Sequence, residues 1–358
     1  MKKKVLVGMS GGVDSSVAAL LLKERGYEVV GVHLNLACAL NAEEPARSMA
    51  SKLDIPFYSL NLKKEFEKKV INYFTREYSK GRTPNPCVVC NRKIKFKALL
   101  KKAKELKADY IATGHYAKVT YDKKRKRYLL KKGRDRKKDQ SYVLCILNQK
   151  QLKHTLFPLA NFTKEEVRKK ARELGIHNRP SSQEICFVPD ADYRRFLGTQ
   201  ITADRLKEGL IVDREGKVLG KHKGIAFYTI GQRRWLGVAL GKPLYVVAID
   251  NSKNVIVVGS EKEILRDELI ARDVNWIAID GLKGSRRVKA KIRYQHKEAE
   301  ATVTPLSKNR VRVKFEKPQR AITPGQAVVF YDKPARRIRP SKAVGAGGDI
   351  VLGGGWIV

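Results

Sequence analysis

The chain has 358 residues, more than one hydrophobic core usually organises, so two or three domains are expected. Its 75 Lys and Arg residues far exceed its 36 Asp and Glu residues, and the resulting charge of +39 favours a polyanionic partner, with nucleic acid first. No stretch approaches the ~20 apolar residues of a membrane-spanning helix, and the lysines after Met1 lead into only a short apolar run. We therefore expect a cytoplasmic protein without a membrane partner.

The cysteines are few and odd in number, which argues against a disulfide scaffold and favours reactive or metal-bound thiols. The five are Cys38, Cys87, Cys90, Cys145 and Cys186.

The first half of the chain alternates β-rich runs with helical patterns. Strands are expected at residues 4–7, 29–34 and 57–60, with helices at 15–25 and 46–53 between them. This alternation predicts a parallel sheet covered by helices.

A loop is expected at residues 81–87, between amphipathic stretches at 63–78 and 92–106. Its two prolines, Pro84 and Pro86, predict that no helix forms there. The loop would then present Cys87 between two helices.

The second half changes to short alternating runs with turn residues, which are typical of β-hairpins. The fold class is therefore an α/β N-terminal domain (1–196) followed by two small, mainly β domains (197–264 and 265–358). The last is expected to be a β-barrel. Residues 333–348, with five Lys or Arg residues and then glycines, are interpreted as a mobile loop.

A Gly-rich segment, residues 8–16, follows the first strand and opens a helix, where free backbone N–H groups and the helix dipole favour an anion. Ser10 and Ser15 can donate hydroxyl hydrogen bonds to a pyrophosphate, and Asp14 can hold Mg²⁺. The segment lacks the Gly-Lys-Ser/Thr ending of a Walker loop, so cleavage of a γ-phosphate is disfavoured.

The thiols leave several interpretations open. Cys87-x-x-Cys90 can be a redox pair, half of a zinc site completed by a distant residue such as His115, or part of an iron–sulfur site. Cys186, beside Ile185 and Phe187, can be a buried apolar residue or a catalyst.

These motifs occur in an order that resembles the bacterial tRNA-specific 2-thiouridylases, members of the PP-loop ATP pyrophosphatase superfamily with an adenine-nucleotide α-hydrolase-like fold. The strings span nearly the whole chain: Ser-Gly-Gly-Val-Asp-Ser-Ser from Ser10, Gly-Arg-Thr-Pro-Asn-Pro from Gly81 with Cys90-Asn91, Ala-Thr-Gly-His-Tyr from Ala112, Lys-Asp-Gln-Ser-Tyr from Lys138, Ile185-Cys-Phe, Thr229-Ile-Gly-Gln-Arg, Thr323-Pro-Gly-Gln-Ala and the closing Leu352-Gly-Gly-Gly-Trp-Ile.

The resemblance implies a set of site residues. It implies ATP binding by Gly8, Met9, Ser10, Gly11, Gly12, Val13, Asp14, Ser15, Leu34 and Gly114. It implies sulfur handling by Cys90 and Cys186, with Asn85, Pro86 and Cys87 facing the target base. It implies tRNA contacts, centred on the anticodon loop, by His115, Lys138, Asp139, Gln140, Arg293, Tyr294 and Gln326.

The implied reaction is ATP-dependent 2-thiolation of the wobble uridine. A persulfide on Cys186 delivers sulfur from a donor protein or sulfide source, and Cys90 attacks it, leaving a Cys90–Cys186 disulfide. A basic pocket that lowers the thiol pKa would suit this chemistry. Eleven Lys or Arg residues from Lys123 to Lys138 can follow the tRNA backbone or form a solvated hairpin.

Three departures from the family pattern stand out. Cys87 occupies the usual Asp position, residues 33–35 read His-Leu-Asn instead of Phe-Met-Lys, and residues 333–348 are extra. Cys87, Cys90 and Cys186 together would provide three ligands for a [4Fe–4S] cluster with one open iron. The rival functions are another adenylating enzyme, such as an amidating ligase, and a catalytically silent RNA-binding protein.

Overall fold

A computed structural model describes residues 2–36, 43–176, 185–202, 206–238, 241, 243–307, 309–332 and 350–358. Cys38 and the loop expected at 333–348 lie outside the described residues. Every helix in the described ranges is too short or too polar to cross a lipid bilayer.

The chain begins with the alternation that the sequence predicts. Its first elements are β1 (Lys4–Gly8), α1 (Val13–Glu24), β2 (Glu28–Asn35), α2 (Glu43–Lys52) and β3 (Phe57–Asn61). The β1 segment Lys-Val-Leu-Val-Gly is apolar on both faces, as a central parallel strand covered by helices must be.

A helical region follows, in which short π-helical segments join α-helices. Its elements are α3 (Lys63–Phe66), α4 (Asn72–Ser79), α5 (Pro86–Cys90) and α6 (Phe96–Glu105), with π-helical turns at Glu67–Ile71 and Asn91–Lys95. The expectation that the prolines exclude a helix through residue 87 is wrong. Pro86 occupies the first helical position, where no backbone N–H is needed, and the Asn85 side chain accepts from the N–H of Val88 at 3.2 Å.

The remaining elements of the first half complete the sheet. They are β4 (Tyr110–Ala112), β5 (Ala117–Asp122), β6 (Arg127–Lys132), α7 (Ser141–Leu144), α8 (Gln149–Lys153), β7 (Thr155–Leu156), α9 (Lys164–Glu173) and α10 (Tyr193–Gln200). The sheet order is β3-β2-β1-β4-β7, with every pairing parallel, which confirms the predicted α/β domain. The capping box of Thr163 and Glu166 begins α9 as expected.

Two β structures follow. The first is a four-stranded sheet of order β10-β11-β8-β9, built from β8 (Gly209–Val212), β9 (Val218–His222), β10 (Tyr245–Asp250) and β11 (Val255–Gly259). The boundary proposed at residue 196 falls within α10, and the division of the chain at 196 and 264 stays a prediction.

The second β structure is a closed barrel, as predicted, of order β12-β15-β14-β13-β16-β17. Its strands are β12 (Leu265–Trp276), β13 (Arg286–Lys291), β14 (Ala299–Ser307), β15 (Arg310–Arg320), β16 (Ala327–Asp332) and β17 (Val351–Ile357). The strand expected to reach Tyr294 ends at Lys291, so Arg293 and Tyr294 lie in the turn that follows.

The barrel packs on the N-terminal domain through one shared core. Leu6 and Ile111 of the parallel sheet belong to the same buried cluster as Val329 and Val351 of the barrel. The Tyr142 hydroxyl donates to the carbonyl oxygen of Ala327 at 2.7 Å across this contact. The hairpin β5–β6 also contacts the barrel, so some of its charged side chains form ion pairs within the chain.

Gly354 tests this packing, because a Cβ there would lie 2.8 Å from Cys145 Sγ and 2.9 Å from the carbonyl oxygen of Val328. We expect Gly354→Ala to lower the free energy of unfolding by about 1–3 kcal/mol through overpacking. Gly198→Ala is the control, since nothing lies within 4 Å of its Cβ position in α10, and it should be neutral or stabilising. Urea unfolding measures both, and equal midpoints would contradict the packing argument.

Candidate active site

The loop between β1 and α1 is built to receive an anion. Gly12 caps α1 without a side-chain acceptor, which leaves the N–H groups of the first helical turn available. Beside it, the hydroxyl groups of Ser10 and Ser15 lie 3.2 Å apart, and that of Ser15 donates to the Gly12 carbonyl oxygen at 3.1 Å. Both hydroxyls can reorient toward a bound phosphate.

Two glycines allow the backbone to close around this loop. Gly11 has φ +73°, and a Cβ there would lie 2.7 Å from Pro45 Cβ. A Cβ on Gly114 would lie 2.7 Å from the backbone carbon of Asp14. The segment after β4 therefore presses directly on the start of α1.

Asp14 is held by two residues distant in sequence. Its Oδ1 accepts from the Tyr116 hydroxyl at 2.7 Å and from Lys164 Nζ at 2.6 Å, while Oδ2 accepts no hydrogen bond from the described residues. One open carboxylate oxygen beside an anion loop is what Mg²⁺ uses when phosphates supply its other ligands. The residues present thus fit a Mg²⁺–nucleotide site.

All the residues implied for ATP lie at one edge of the sheet. Strands β1, β2 and β4 are adjacent and parallel, so the segment from Gly8 to Ser15, Leu34 near the end of β2, and Gly114 after β4 gather at their carboxyl ends. Behind them, His33 Nδ1 pairs with the Met9 carbonyl oxygen at 3.0 Å.

The thiols lie on and beside α5. Cys90 is only 4% exposed, Cys87 is half-buried and Cys186 is exposed. Burial raises the pKa of Cys87 and raises the pKa of Cys90 to about 12, while the Lys95 charge opposes the shift. The expectation of a thiol pKa lowered by a basic pocket is wrong for both, because desolvation of the thiolate outweighs Lys95.

The three thiols of Cys87, Cys90 and Cys186 are neighbours in the part of the chain that the structure describes. A charge on Cys186 contributes to the raised pKa of both Cys87 and Cys90. Among the described residues, however, no three His, Cys, Asp or Glu side chains are grouped to hold a metal ion. Within that range His115 and the thiols form no such group, and the zinc and iron–sulfur interpretations stay predictions.

His115 follows Gly114, the residue that contacts the start of α1. Its ring packs against Phe96 and Phe157, and Nδ1 pairs with the Thr113 hydroxyl at 2.8 Å. Burial, and then the charge of Lys95, lowers the pKa of His115 to about 3, so the ring is neutral at physiological pH. Lys95 therefore lies near both Cys90 and His115. The residue after His115 is Tyr116, whose hydroxyl donates to Asp14.

Several residues that the resemblance implies as tRNA contacts form hydrogen bonds within the chain. Asp139 is buried and accepts from the Ser141 hydroxyl at 2.7 Å, and the Gln140 side chain accepts from the N–H of Tyr116 at 3.0 Å. Gln326 Nε2 donates to the carbonyl oxygen of Thr83 at 3.0 Å. These three residues shape the loops around the site, whereas Lys138 is exposed.

The turn after β13 approaches the same region from the barrel. Arg293 donates to the carbonyl oxygen of Arg320 at 3.1 Å, and Tyr294 is 37% exposed. Burial raises the pKa of Tyr294, and charges on Asp139 and Cys87 add to the shift. Tyr294 is thus close enough to Cys87 for a charge on one to affect the other.

Sequence reasoning missed Lys95 and Lys164 as site residues and did not assign Tyr116 a role. Tyr116 ends the Ala-Thr-Gly-His-Tyr motif that begins at Ala112, and Lys164 directly follows Thr163, the N-cap residue of α9. Neither position signals a contact with Asp14, because pairs separated by 102 and 150 residues meet only in the folded chain.

A glycine-rich loop at the carboxyl edge of a parallel sheet, together with cysteines on helix α5, is typical of an α/β nucleotide-binding enzyme, which two β domains extend here. Three family models match consecutive segments: a tRNA methyl transferase HUP domain at 3–190, a tRNA methyl transferase PRC-barrel domain at 194–260 and an aminomethyltransferase beta-barrel domain at 266–357.

Curated relatives match over almost their full length. The tRNA-specific 2-thiouridylase MnmA of Acetivibrio thermocellus is 54% identical over 99% of both chains. Those of Clostridioides difficile and Halothermothrix orenii are 49% and 52% identical, covering 100% and 99% of this chain and 98% of each relative. The chain belongs to the tRNA-specific 2-thiouridylase family and is a tRNA sulfurtransferase of the PP-loop ATP pyrophosphatase type.

A solved 4-thiouridine synthetase in complex with RNA and ATP is 20% identical to this chain. It covers 55% of this chain and 50% of its own, with a TM-score of 0.37, a likeness too weak to carry a conclusion.

The burial of the thiols predicts their order of alkylation. Without tRNA and ATP, iodoacetamide should modify exposed Cys186 first, because Cys90 is buried and its raised pKa leaves little thiolate at neutral pH. Raising the pH toward 9 should increase the slow Cys90 rate, since more thiolate forms. Mass spectrometry of the peptides measures each rate, with buried Cys145 as internal control. Equal rates at Cys90 and Cys186 at pH 7 would refute this order.

Proposed function

We propose that the protein replaces the oxygen at carbon 2 of the wobble uridine of tRNA with sulfur, in an ATP-dependent reaction. The observation that supports the proposal is a series of short-range contacts from the thiols to the nucleotide loop. The charge of Lys95 acts on both Cys90 and His115. Tyr116, the next residue after His115, donates a hydrogen bond to Asp14. Family membership favours this function over an amidating ligase or a silent RNA-binding protein. A tRNA substrate also supports a cytoplasmic location.

The first step in this proposal activates the base. The carbon-2 oxygen of uracil attacks the α-phosphate of ATP, so that an O–P bond forms, the α–β bond breaks and pyrophosphate leaves. The first turn of α1 and the hydroxyls of Ser10 and Ser15 bind the departing pyrophosphate. Bound Mg²⁺, held by Asp14, would neutralise charge on these phosphates. The chain thereby converts a poor leaving group into AMP.

The second step delivers sulfur through Cys186 and Cys90. Exposed Cys186 can receive a persulfide from a sulfur-donor protein. Cys90 then attacks the Sγ atom of Cys186, which forms a Cys90–Cys186 disulfide and releases hydrosulfide. The hydrosulfide adds to carbon 2, and AMP departs with the original oxygen. A thiol reductant must supply two electrons to reduce the disulfide for the next turnover.

Two features of the site support this division of roles. Cys186 is accessible to a donor, whereas Cys90 is buried and Lys95 is the positive charge that favours its thiolate. Entry of the base would exclude water from the site, and this exclusion would suppress hydrolysis of the activated base. Asn85 and Pro86, at the start of α5, would present that base to the thiols, and Tyr294 lies near Cys87.

The direct test is nucleoside analysis of unmodified tRNA after incubation with the protein, ATP, Mg²⁺ and a sulfur source. Formation of 2-thiouridine at the wobble position alone supports the proposal. Thiolation at another position would place the target elsewhere while leaving the sulfurtransferase class intact. A Cys186→Ser variant, tested in parallel, should form no product.

Asp14→Ala should abolish release of AMP and pyrophosphate while tRNA binding stays within about twofold. The change removes the carboxylate of the nucleotide site but leaves the basic surface in place. Glu24→Ala, an exposed carboxylate at the other end of α1, is the matched control and should keep normal activity. Undiminished AMP formation by Asp14→Ala would remove Asp14 from the proposed site.

Cys87 separates the persulfide route from an iron–sulfur route. Because the described side chains form no ready metal group, we expect Cys87→Asp, which restores the residue usual in the family, to retain activity after purification without oxygen. Iron and sulfide analysis of both proteins should find no stoichiometric cluster. Four iron atoms per chain in the unmodified protein, lost together with activity in Cys87→Asp and Cys87→Ala, would favour the cluster.

A further inference from the structure

A basic cavity lies against α5, the helix that carries Cys87 and Cys90. It has a volume of about 190 Å³ and is bounded by α4, by the α5 segment with its π-helical continuation, and by strands β12 and β17 of the barrel. Neither Cys87 nor Cys90 lines it. Instead Val89, Arg92 and Lys93, spaced by three and four residues, face it from one side of the helical segment.

The charges around this cavity are unbalanced. Arg76, Arg82, Arg92, Lys93 and Arg272 line it, against only Glu77 and Asp273. The two carboxylates are already engaged: Glu77 pairs with Arg82 at 3.7 Å and Arg76 at 3.9 Å, and Asp273 pairs with Arg272 at 3.9 Å. The side chains of Arg92 and Lys93 form no ion pair or hydrogen bond with any described residue. Both side chains are exposed, and a bound anion would offset the repulsion among these like charges.

The barrel wall of the cavity is shaped locally. The pairing of β12 with β17 shifts between Arg272 and Asn275, and Asp273 there has φ +51°. Such a bulge re-aims side chains, and here Arg272 and Asp273 line the cavity. Tyr73 and Trp356 complete the wall, with ring centroids 6.2 Å apart. Planar guanidinium groups beside aromatic rings suit a phosphate attached to a nucleoside.

We propose that this cavity binds a phosphate group, and that the group comes from the tRNA backbone. The cavity lies next to the loop that leads to Asn85 and Pro86: Gly325 lines it, and a Cβ on Gly325 would lie 3.0 Å from the carbonyl oxygen of Thr83. A phosphate held here would fix the strand on one side of α5 while the base enters on the cysteine side. Phosphate binding itself does not depend on the proposed thiolation chemistry.

The test uses Trp356 as a reporter of phosphate binding. Inorganic phosphate is titrated against the whole protein while tryptophan fluorescence is followed, and Trp356→Phe identifies the contribution of Trp356 among the three tryptophans. We expect a saturable change. In Arg92→Gln/Lys93→Gln the apparent Kd should rise at least about tenfold, since charge-assisted hydrogen bonds contribute on that scale.

The matched control removes the same charge elsewhere. Lys97 and Lys101 are exposed residues of α6 outside the cavity, so Lys97→Gln/Lys101→Gln should leave the titration unchanged. Arg272→Gln approaches the site from the barrel and should also weaken binding, which guards against misfolding of one variant. The absence of a saturable signal, or equal weakening in the control pair, overturns the proposal.

Competition identifies the source of the phosphate. If tRNA displaces inorganic phosphate in the unmodified protein, the group belongs to the tRNA backbone. If tRNA binds without displacing it, the tRNA source is refuted and the cavity is a site for free phosphate. Nucleoside analysis of the same variants separates this result from the proposed function, because a failure of thiolation in the unmodified protein would leave the fluorescence titration unaffected.

Discussion

The contact between the β-barrel and the N-terminal sheet is the constraint on which the site depends. Its buried core runs from Leu6 of β1 to Val329 of β16 without an intervening solvent layer. Hydrogen bonds at the border of this contact fix how the two parts are oriented, because Gln326 and Tyr142 each donate to a backbone carbonyl oxygen across it. This packing holds the start of α5 against the barrel and brings the turn with Tyr294 near Cys87.

Burial affects the pKa values of Cys87 and Cys90 more strongly than the net charge of the chain does. A chain with a formal charge of +39 could be expected to stabilise thiolates, yet desolvation raises the pKa of Cys90 and of Cys87. A single nearby cation, Lys95, does not offset the loss of water around a buried thiolate. Burial therefore disfavours the thiolates of Cys87 and Cys90, whereas Cys186 is exposed.

The basic residues fall into groups with different tasks. Lys164 holds Asp14, and Lys132 in the hairpin pairs with Glu298 of the barrel, so these charges are used within the chain. Arg92 and Lys93 have no such partners among the described residues and remain available to a ligand. Composition alone cannot separate these groups, since they differ only in what lies within a few ångströms in the folded protein.

The sequence by itself determined the features that depend on neighbours along the chain. The apolar alternation specified the parallel sheet and the barrel hairpins, and the Gly-rich segment specified the turn from β1 into α1, because backbone conformation and periodicity are local properties. The same reasoning failed at Pro86, where the cap by Asn85 makes proline a helix start.

Only the tertiary structure decided which groups meet and how much water they lose. The contacts of Asp14 with Tyr116 and Lys164, the raised pKa of Cys90, and the cavity between Arg92 and Arg272 all join residues far apart in sequence. Electrostatic energies depend on distance and burial in space, and neither quantity is encoded in the order of the residues around any one position.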